Sequence, residues 1–421
     1  MRRRTKQTSA KRRIFLFLGL LLVFAGLVVA ARFYRTKPLI EPESPEMAAK
    51  RMSPDNAYYA LLEVAKDLPA PPKNLRGEIG PSVIASQMAV RRPDDDPEMI
   101  DYFETTRPAA EAIVQILDQK AYYCAPLESL ERNRRVLDSL QQLARILCAH
   151  ALYAAKKGNP EQASKFALSC LRLGDSVAKD GPFDNVNSGC EIVDRAAACA
   201  MCLPWADYSQ ECLRSFSSAF DALRPAGIDL SRSVDWEFRL VEAGGIYAFS
   251  EEDGNSGLMA SMREAALRRF LRKHEAALRK AAQLSYPELP AWSGRQRRTR
   301  HIEHRVLPTR LMRAVESSVV NVTRARTSVE GLRAVLALAL YKMMRGAYPE
   351  SLETLTPEFL DSVPVDAYIA APLRYSAANG SYRMYSVGLL GKDDAGDPRQ
   401  DVLFPPPMAA VFQASLKSPD E

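Results

Sequence analysis

Residues 140–173 read LQQLARILCAHALYAAKKGNPEQASKFALSCLRL, two apolar helical patterns separated by a single turn signal. Leucine and alanine recur at three- and four-residue spacing on both sides of Gly158-Asn159-Pro160, as they do in amphipathic helices. Glycine suits the left-handed position that ends a helix, and proline suits the first turn of the next helix. The stretch therefore predicts an antiparallel helical hairpin.

Two of the seven cysteines lie on this hairpin. Cys148 and Cys170 are each eleven residues from Asn159, so in an antiparallel pair they lie at nearly the same height. They are the disulfide candidate of the chain, and two separate buried thiols are the alternative. An odd number of cysteines in a long chain is unlike the dense cysteine framework of a small disulfide-stabilised domain.

The hairpin also resembles one tetratricopeptide repeat. Ala151, Gly158 and Ala163 stand where that family places small residues for close helix contact. The repeat length of the family does not recur elsewhere in the chain, so generic helical packing is the alternative. Helical periodicity also marks a further set of segments, at residues 54–66, 101–120, 127–156, 191–223, 230–249, 257–284 and 313–345.

The N-terminal region carries a membrane signal. Residues 14–31, IFLFLGLLLVFAGLVVAA, contain no charge, and as a helix they span about 27 Å, close to the thickness of a bilayer core. The arm before them contains no acid and seven basic residues, namely Arg2, Arg3, Arg4, Lys6, Lys11, Arg12 and Arg13. We therefore expect a transmembrane helix from Ile14 to Ala31 in contact with the lipid bilayer, with the N-terminus in the cytoplasm.

A cleaved signal peptide is the competing interpretation, because Val29-Ala30-Ala31 offers the small residues of a cleavage site. The apolar run is longer than the roughly 7 to 15 residues of a signal peptide, which favours an uncleaved anchor. Both interpretations export the rest of the chain. The expected location is the bacterial cytoplasmic (inner) membrane, crossed once, with most of the chain on the extracytoplasmic side.

The net charge of +6 is unevenly distributed. The arm carries +7, and the segment from Arg263 to Arg313 carries fourteen Lys and Arg against four Glu. Such a block indicates nucleic acid in a cytoplasmic protein, but the topology puts this one across the membrane. We expect no nucleic-acid partner. A simply solvated helix face is the leading interpretation of the block. Lipid headgroups, an envelope polymer or an acidic extracytoplasmic protein are the partners expected otherwise.

Composition and periodicity divide the chain into six parts. They are a basic cytoplasmic arm (1–13), a transmembrane helix (14–31), a tether rich in Pro, Glu and Ser (32–54), an α-helical extracytoplasmic domain (55–310), an α+β module (311–407) and a tail (408–421). The predicted fold class is mainly α, with a short antiparallel sheet packed on the long helix of the C-terminal module.

The sheet is predicted from two β-rich runs, residues 373–376 and 382–387, separated by Asn379-Gly380. Asn-Gly between such runs is a strong hairpin signal. Tyr385 and Val387 are expected to share one face, with Tyr375 reaching them across the pairing. A sheet this small needs a helix to cover one face, so we expect it to pack on the long helix that ends at Arg345. Residues 349–360 are expected to wrap the end of that helix.

An acidic loop follows the second run. Asp393, Asp394, Asp397 and Asp401 surround a glycine, and hard divalent cations such as calcium take six to eight oxygen ligands from carboxylates and carbonyls. The loop is therefore the candidate metal site of the chain, with calcium as the candidate cofactor. A solvated turn, partly neutralised by neighbouring basic residues, is the alternative.

The C-terminal module resembles the periplasmic end of a type II secretion major pseudopilin. The motifs that carry the resemblance are residues 339–341 ALY, 346–352 GAYPESL, 363–366 VPVD, 373–375 LRY and 385–388 YSVG, followed by the acidic loop. The resemblance implies a structural calcium site at Asp394, Asp397 and Asp401 with the carbonyl of Leu389 or Leu390. The whole arrangement is similar to a group of planctomycete-type single-span membrane proteins.

The sequence offers no catalytic pattern. It has no glycine-rich phosphate loop, no G-x-S-x-G and no H-E-x-x-H, and only four histidines. The expected function is that of a membrane-anchored extracytoplasmic binding or scaffold protein and not that of an enzyme. A component of a pseudopilin-like secretion or filament assembly is the alternative.

Overall fold

A computed structural model describes residues 43–69, 97–120, 122–126, 130–223, 228–242, 258–292 and 307–416, together with Val23 and Gly26. The predicted basic arm and, apart from those two residues, the predicted transmembrane helix 14–31 lie outside this set. Among the described residues, no helix combines the length and the apolar composition that a membrane crossing requires. The membrane segment therefore stays a prediction.

Helices form most of the described chain. In order they are α1 Pro45–Met52, α2 Ala57–Lys66, α3 Pro97–Gln119, α4 Leu130–Lys156, α5 Pro160–Lys179, α6 Phe183–Cys202, α7 Gln210–Leu223, α8 Leu230–Glu242, α9 Leu258–Ala282, α10 Leu307–Arg345 and α11 Pro407–Leu416. Short 3₁₀ turns lie at Trp205–Asp207, Tyr286–Glu288 and Leu352–Leu355. The prediction of a mainly helical chain with a small C-terminal sheet is confirmed.

The predicted hairpin forms from α4 and α5. Gly158 has a φ of +70°, the left-handed conformation that ends α4. Asn159 caps α5, because its side-chain oxygen accepts a hydrogen bond from the N–H of Gln162 at 3.0 Å. Ala151 and Ala163 are fully buried in the core. Helix α6 then packs against both α4 and α5, so the three helices form the centre of the body.

Helix α1 lies in the predicted tether, so that prediction is wrong for residues 43–54. Pro45 occupies the first turn of the helix, directly after a serine N-cap. Arg51, near the end of the helix, is only 6% exposed. Its guanidinium donates to Glu43 Oε1 at 2.8 Å and to Asp180 Oδ2 at 3.1 Å. The chain is thus fixed to the helical body much earlier than the sequence indicated.

The strands lie together near the C-terminus. They are β1 Val365–Asp366, β2 Ala371–Pro372, β3 Arg374–Ala378, β4 Ser381–Ser386 and β5 Val402–Leu403. The first two pair with each other, and the other three form an antiparallel sheet in the order β3-β4-β5. The three-stranded sheet follows α10 in the chain, and β1 of the two-stranded pair contacts that helix.

The hairpin turn at Asn379-Gly380 forms as predicted, with φ values of +53° and +73°. The cross-strand pairing differs from the prediction, because Tyr375 lies opposite Met384 and not on the face of Tyr385. The ring of Tyr375 lies 6.0 Å from that of Tyr382, between centroids. Since side chains alternate along a strand, the buried face of β4 carries Tyr382 and Met384, and Tyr385 points to the other side.

The helical body and the C-terminal module share one hydrophobic core. The ring of Phe404 lies directly against Gly331 of α10, where an added Cβ would meet a ring carbon at 2.6 Å. Helix α11 continues this packing, because Gln413 Nε2 donates to the carbonyl of Leu203 at 3.1 Å, just after α6. The predicted tail is therefore wrong for residues 408–416, which form a helix on the body.

The chain after α10 wraps the end of that helix, as expected for residues 349–360. The rings of Tyr341 and Phe359 lie 5.4 Å apart, between centroids. Arg345 Nη2 pairs with Glu358 Oε2 at 3.1 Å. The end of α10 is thus covered by side chains that follow it closely in sequence.

Candidate functional site

The acidic loop runs from the end of β4 to the start of β5. Its path depends on four residues with left-handed backbone, namely Gly388, Gly391, Ala395 and Gly396, with φ values between +58° and +80°. Glycine adopts this conformation without a steric penalty. The glycines let the loop fold back on itself, which brings the predicted aspartates into one compact turn.

Asp393 connects this turn to the outer side of the sheet. Its Oδ1 accepts hydrogen bonds from the Ala395 N–H at 3.0 Å and the Tyr385 hydroxyl at 2.9 Å. Its Oδ2 pairs with Arg374 Nε at 3.1 Å. The backbone hydrogen bond from Ala395, followed by the one from Tyr385, lowers the pKa of Asp393. This carboxylate is fully engaged in positioning the loop, so it is a poor candidate for a metal ligand.

Asp394 and Asp397 form the turn itself. The carbonyl of Asp394 accepts from the Asp397 N–H at 3.3 Å, and the carbonyl of Asp397 accepts from the Asp401 N–H at 2.7 Å. Their side chains have surface partners: Lys392 Nζ lies 2.8 Å from Asp394 Oδ1, and the Arg399 N–H donates to Asp397 Oδ1 at 3.0 Å. The Lys392 side chain is 75% exposed, and ion pairs at the surface are weak, so Asp394 is able to change its partner.

Asp401 is the unusual member of the group. It is only 5% exposed. Its Oδ2 accepts from the Gly396 N–H at 2.7 Å, while its Oδ1 is buried and has no hydrogen-bond partner in the part of the chain that the structure describes. A buried carboxylate oxygen without a partner is unfavourable, and a cation would satisfy it. Across the described residues, however, no three His, Cys, Asp or Glu side chains are arranged to hold one metal ion.

A second buried carboxylate, that of Asp366, contacts the start of the loop. No local sequence signal indicates this contact. Asp366 is 1% exposed, and both of its oxygens accept backbone hydrogen bonds, from Tyr368 at 3.0 Å and from Val387 at 2.9 Å. The carbonyl of Leu389, a predicted ligand, accepts a hydrogen bond from the Tyr286 hydroxyl at 2.7 Å. The contact with Asp366 holds the start of the loop against β1, and the contact with Tyr286 attaches it to the helical body.

The two cysteines of the hairpin lie at the same level, as their spacing suggested. The sulfurs of Cys148 and Cys170 are 3.6 Å apart, whereas a disulfide bond is about 2.05 Å long. A third thiol, Cys199 of α6, donates to the carbonyl of Cys148 at 3.5 Å. The Cys148 contact and burial both raise the pKa of Cys170. All seven cysteines are free thiols here, and the disulfide stays a prediction.

One buried pair looks like part of a catalytic site. His150 Nε2 lies 2.9 Å from the hydroxyl of Thr106, and the two residues are 3% and 0% exposed. Burial, with a smaller contribution from Arg107, lowers the pKa of His150 to about 4. The Thr106 hydroxyl also donates to the carbonyl of Tyr102 at 2.7 Å. Because both side chains are buried, a substrate cannot reach them. The pair is therefore part of the core.

A surface cavity of about 350 Å³ lies between α3 and the start of α5. Its described lining is mostly carboxylate, amide and apolar side chains, namely Glu111, Val114, Gln115, Asn159, Glu161, Gln162, Lys165 and Phe166. Glu111, Glu161 and Lys165 give this lining both signs of charge, beside the apolar side chains of Val114 and Phe166.

Comparison of the chain with protein-family models, with curated proteins and with solved structures finds no match. The likeness of the C-terminal module to a pseudopilin and of the hairpin to a tetratricopeptide repeat therefore rests on the motifs alone. Any function has to follow from the contacts of this chain.

Proposed function

We propose that the protein is a membrane-tethered scaffold that holds a helical body close to the outer face of the bacterial cytoplasmic membrane and binds an extracytoplasmic protein or envelope polymer. The observation that carries this proposal is the attachment of α1 to the body through Arg51. Between the predicted transmembrane helix and the first described residue of the body, only residues 32–42 remain. Eleven residues reach at most about 40 Å when fully extended.

Short reach is what distinguishes a scaffold from a freely diffusing domain. A body that cannot move further than about 40 Å from its anchor presents its surface at nearly constant height above the lipid. The shared core of the body and the C-terminal module supports the same interpretation. Such a body offers a partner one continuous surface instead of two independently moving domains.

The burial of α10 favours a scaffold over a filament subunit. Residues 331–338 are all buried, which covers every side of the helix for two turns. The helix packs against α6, α7 and α9 of its own chain. A filament built on long helices would need one face of α10 to be available to other subunits. In addition, residues 32–306 separate α10 from the predicted membrane segment.

The topology is testable by labelling with a membrane-impermeant maleimide. In a Cys212→Ser background, Glu63→Cys places a thiol on an exposed position of α2, since the Glu63 side chain is 70% exposed and the other cysteines are buried. We expect labelling of Glu63→Cys in intact spheroplasts. Thr5→Cys in the basic arm is the matched control, and we expect it to label only after lysis.

Each other outcome has a definite meaning. Labelling of Glu63→Cys only after lysis would contradict the proposed topology. Labelling of Glu63→Cys in a soluble product that has lost the Thr5→Cys site would indicate a cleaved signal peptide, and would contradict the tethered scaffold while leaving the export of the body intact.

We further propose that the acidic loop binds a divalent cation, with calcium as the candidate. Asp401 supports this proposal because its buried Oδ1 has no partner. Asp394 and Asp397 would complete the set together with loop carbonyls, since both belong to the same turn. Bound there, calcium would supply positive charge that fixes the turn. Asp393 is left out because Arg374 and Tyr385 already engage it.

We expect calcium to raise the melting temperature of the full chain in detergent, by about 3 °C or more at concentrations far above the Kd. Asp401→Asn is expected to remove this rise, because it replaces the buried carboxylate. Asp393→Asn removes the same charge from the same loop and is expected to keep the rise. A calcium-dependent rise that survives in Asp401→Asn, or its absence in the unmodified protein, would contradict the cation site.

A further inference from the structure

Two arginines meet where α4 packs against α6. Arg145 belongs to α4 and Arg195 to α6, and both are half-buried. Arg195 Nη1 donates to Gln141 Oε1 at 2.5 Å. Gln141 precedes Arg145 by four residues, and residues four apart on a helix lie side by side, with about 5–6 Å between their Cβ atoms. The contact with Gln141 therefore brings the guanidinium of Arg195 to the same surface as that of Arg145.

Among the described residues, neither guanidinium has an acid partner. Within the described part of the chain, no ion pair involves Arg145 or Arg195, and Arg145 makes no hydrogen bond. Its Nε is buried without an acceptor. Burial and the charge of Arg195 lower the pKa of Arg145, against a smaller opposing effect of Asp138. Two like charges thus repel each other in partly desolvated surroundings.

The acids near the two arginines, Asp138 and Glu191, do not form ion pairs with them. Asp138 attracts Arg145 without reaching ion-pair distance. Glu191, one turn before Arg195 on α6, accepts a long hydrogen bond of 3.4 Å from Gln141 Nε2. The same amide nitrogen donates to the carbonyl and the hydroxyl of Ser188, at 3.0 and 2.9 Å. Gln141 is thus held in place by α6, and it orients Arg195 beside Arg145.

We propose that Arg145 and Arg195 form a binding site for a phosphate group. A phosphate group bears up to about two negative charges near neutral pH and offers several acceptor oxygens, which matches two guanidiniums. Arginine binds phosphate through two parallel hydrogen bonds and is always charged. The source of the group is either inorganic phosphate or the headgroup of a lipid or envelope polymer. This site is separate from the acidic loop and does not depend on the proposed scaffold function.

The test uses the full chain in detergent, with phosphate compared with chloride at equal ionic strength. Phosphate stabilises most proteins by exclusion from their surface, so the informative quantity is the difference between variants. We expect the melting temperature of the unmodified protein to rise about 2–4 °C more in phosphate than that of Arg145→Gln or Arg195→Gln. Arg172→Gln is the matched control, because Arg172 is already paired with Asp118, and it should respond like the unmodified protein.

The difference in melting temperature between Arg145→Gln and the unmodified protein is also expected to change sign between chloride and phosphate. An arginine with only a structural role would not produce this change. In chloride, Arg145→Gln is expected to melt at the same temperature as the unmodified protein or higher, because it removes the repulsion from Arg195. In phosphate it is expected to melt lower. Equal phosphate responses in the unmodified protein and in Arg145→Gln would overturn the proposal.

The source of the phosphate group is distinguished by ³¹P NMR line broadening with inorganic phosphate and with glycerol phosphate as probes. Stronger broadening of inorganic phosphate indicates a site for the free ion, and stronger broadening of glycerol phosphate indicates a headgroup site. Either result supports the proposal if Arg195→Gln abolishes it. No broadening of either probe would overturn it.

Discussion

Replacing Gly189 with alanine is expected to destabilise the protein by about 2–4 kcal/mol, since overfilling a packed core costs about 1–3 kcal/mol and more where backbone has to move. Gly189 lies on α6 in direct contact with α5. A Cβ added there would lie 2.3 Å from the backbone nitrogen of Ala178 and 2.7 Å from its Cα. Both are backbone atoms, so α5 and α6 would have to separate.

The contact is reciprocal, which increases the expected effect. A Cβ added at Gly174 of α5 would lie 2.7 Å from the Val193 nitrogen and 2.9 Å from the Gly189 carbonyl oxygen. The two helices thus cross with their backbones touching, at the centre of the body. The gain in helix propensity from glycine to alanine, about 1 kcal/mol, offsets only part of the cost of separating them.

Denaturant unfolding followed by circular dichroism measures this effect, with Gly158→Ala as the control. Gly158 receives the same methyl group with nothing within 4 Å, although its φ of +70° is unfavourable for alanine by about 1–2 kcal/mol. The comparison separates close helix contact from backbone conformation. If Gly189→Ala is no less stable than Gly158→Ala, then α5 and α6 are not in backbone contact.

The features predicted correctly from the sequence are those with local signals. Gly158, Asn159 and Pro160 place the turn of the central hairpin, and Asn379-Gly380 places the turn of the β-hairpin, because each acts through its own backbone conformation. The alternation of side chains along β4 defines two faces, but no local signal indicates which of them is buried. Tyr385 was therefore assigned to the wrong face, although the turn was right.

The contacts between distant residues were not predictable in this way. The approach of Gly174 and Gly189 depends on the crossing angle of two helices, which no local pattern specifies. The orphan oxygen of Asp401 depends on how deeply the loop is buried. For the acidic loop, the local pattern identifies the aspartates but not their partners, since Asp393 pairs with Arg374, nineteen positions earlier.

Helix α1 was missed for the same reason. Its segment is rich in Pro, Glu and Ser, and its local signals are only a serine cap and Pro45. An isolated helix of eight residues is not stable in water. It forms because Arg51 pairs with Asp180, which lies 129 positions later in the chain. Nothing near Arg51 in sequence indicates that its charge is buried.

Replacing Arg51 with alanine is expected to destabilise the protein by about 3 kcal/mol, because removing one partner of a buried ion pair leaves the others uncompensated. Arg51 donates to the Cys124 sulfur at 3.0 Å and to the carbonyl of Ala125. It also stacks on Trp236, with its guanidinium carbon 4.2 Å from the ring centroid. The same tryptophan donates to Asp180 Oδ1 at 3.1 Å.

Two variants separate charge from geometry. Arg51→Lys keeps the charge but loses the planar fork and the stacking, so an intermediate loss of about 1–2 kcal/mol is expected. Arg107→Ala is the control, because Arg107 and its partner Glu104 are each about half exposed, and such surface pairs contribute at most about 1 kcal/mol. Equal stability of Arg51→Ala and Arg107→Ala would mean that the buried network does not stabilise the fold.

The loss of Arg51 also has a consequence for the reach of the body. With α1 released, the connection to the predicted membrane helix extends from residue 42 to about residue 56, and its maximum length rises roughly twofold. Lys50 is exposed already, but its peptide bond lies within α1, and it becomes a substrate for trypsin once this helix is released. In membranes, the body released from Arg51→Ala is therefore expected to begin at residue 51, whereas the unmodified body begins nearer the membrane, after a basic residue of segment 32–42. Mass spectrometry distinguishes the two fragments. Identical fragments from both proteins would mean that α1 stays attached without Arg51, and that a single buried arginine does not set the distance between body and bilayer.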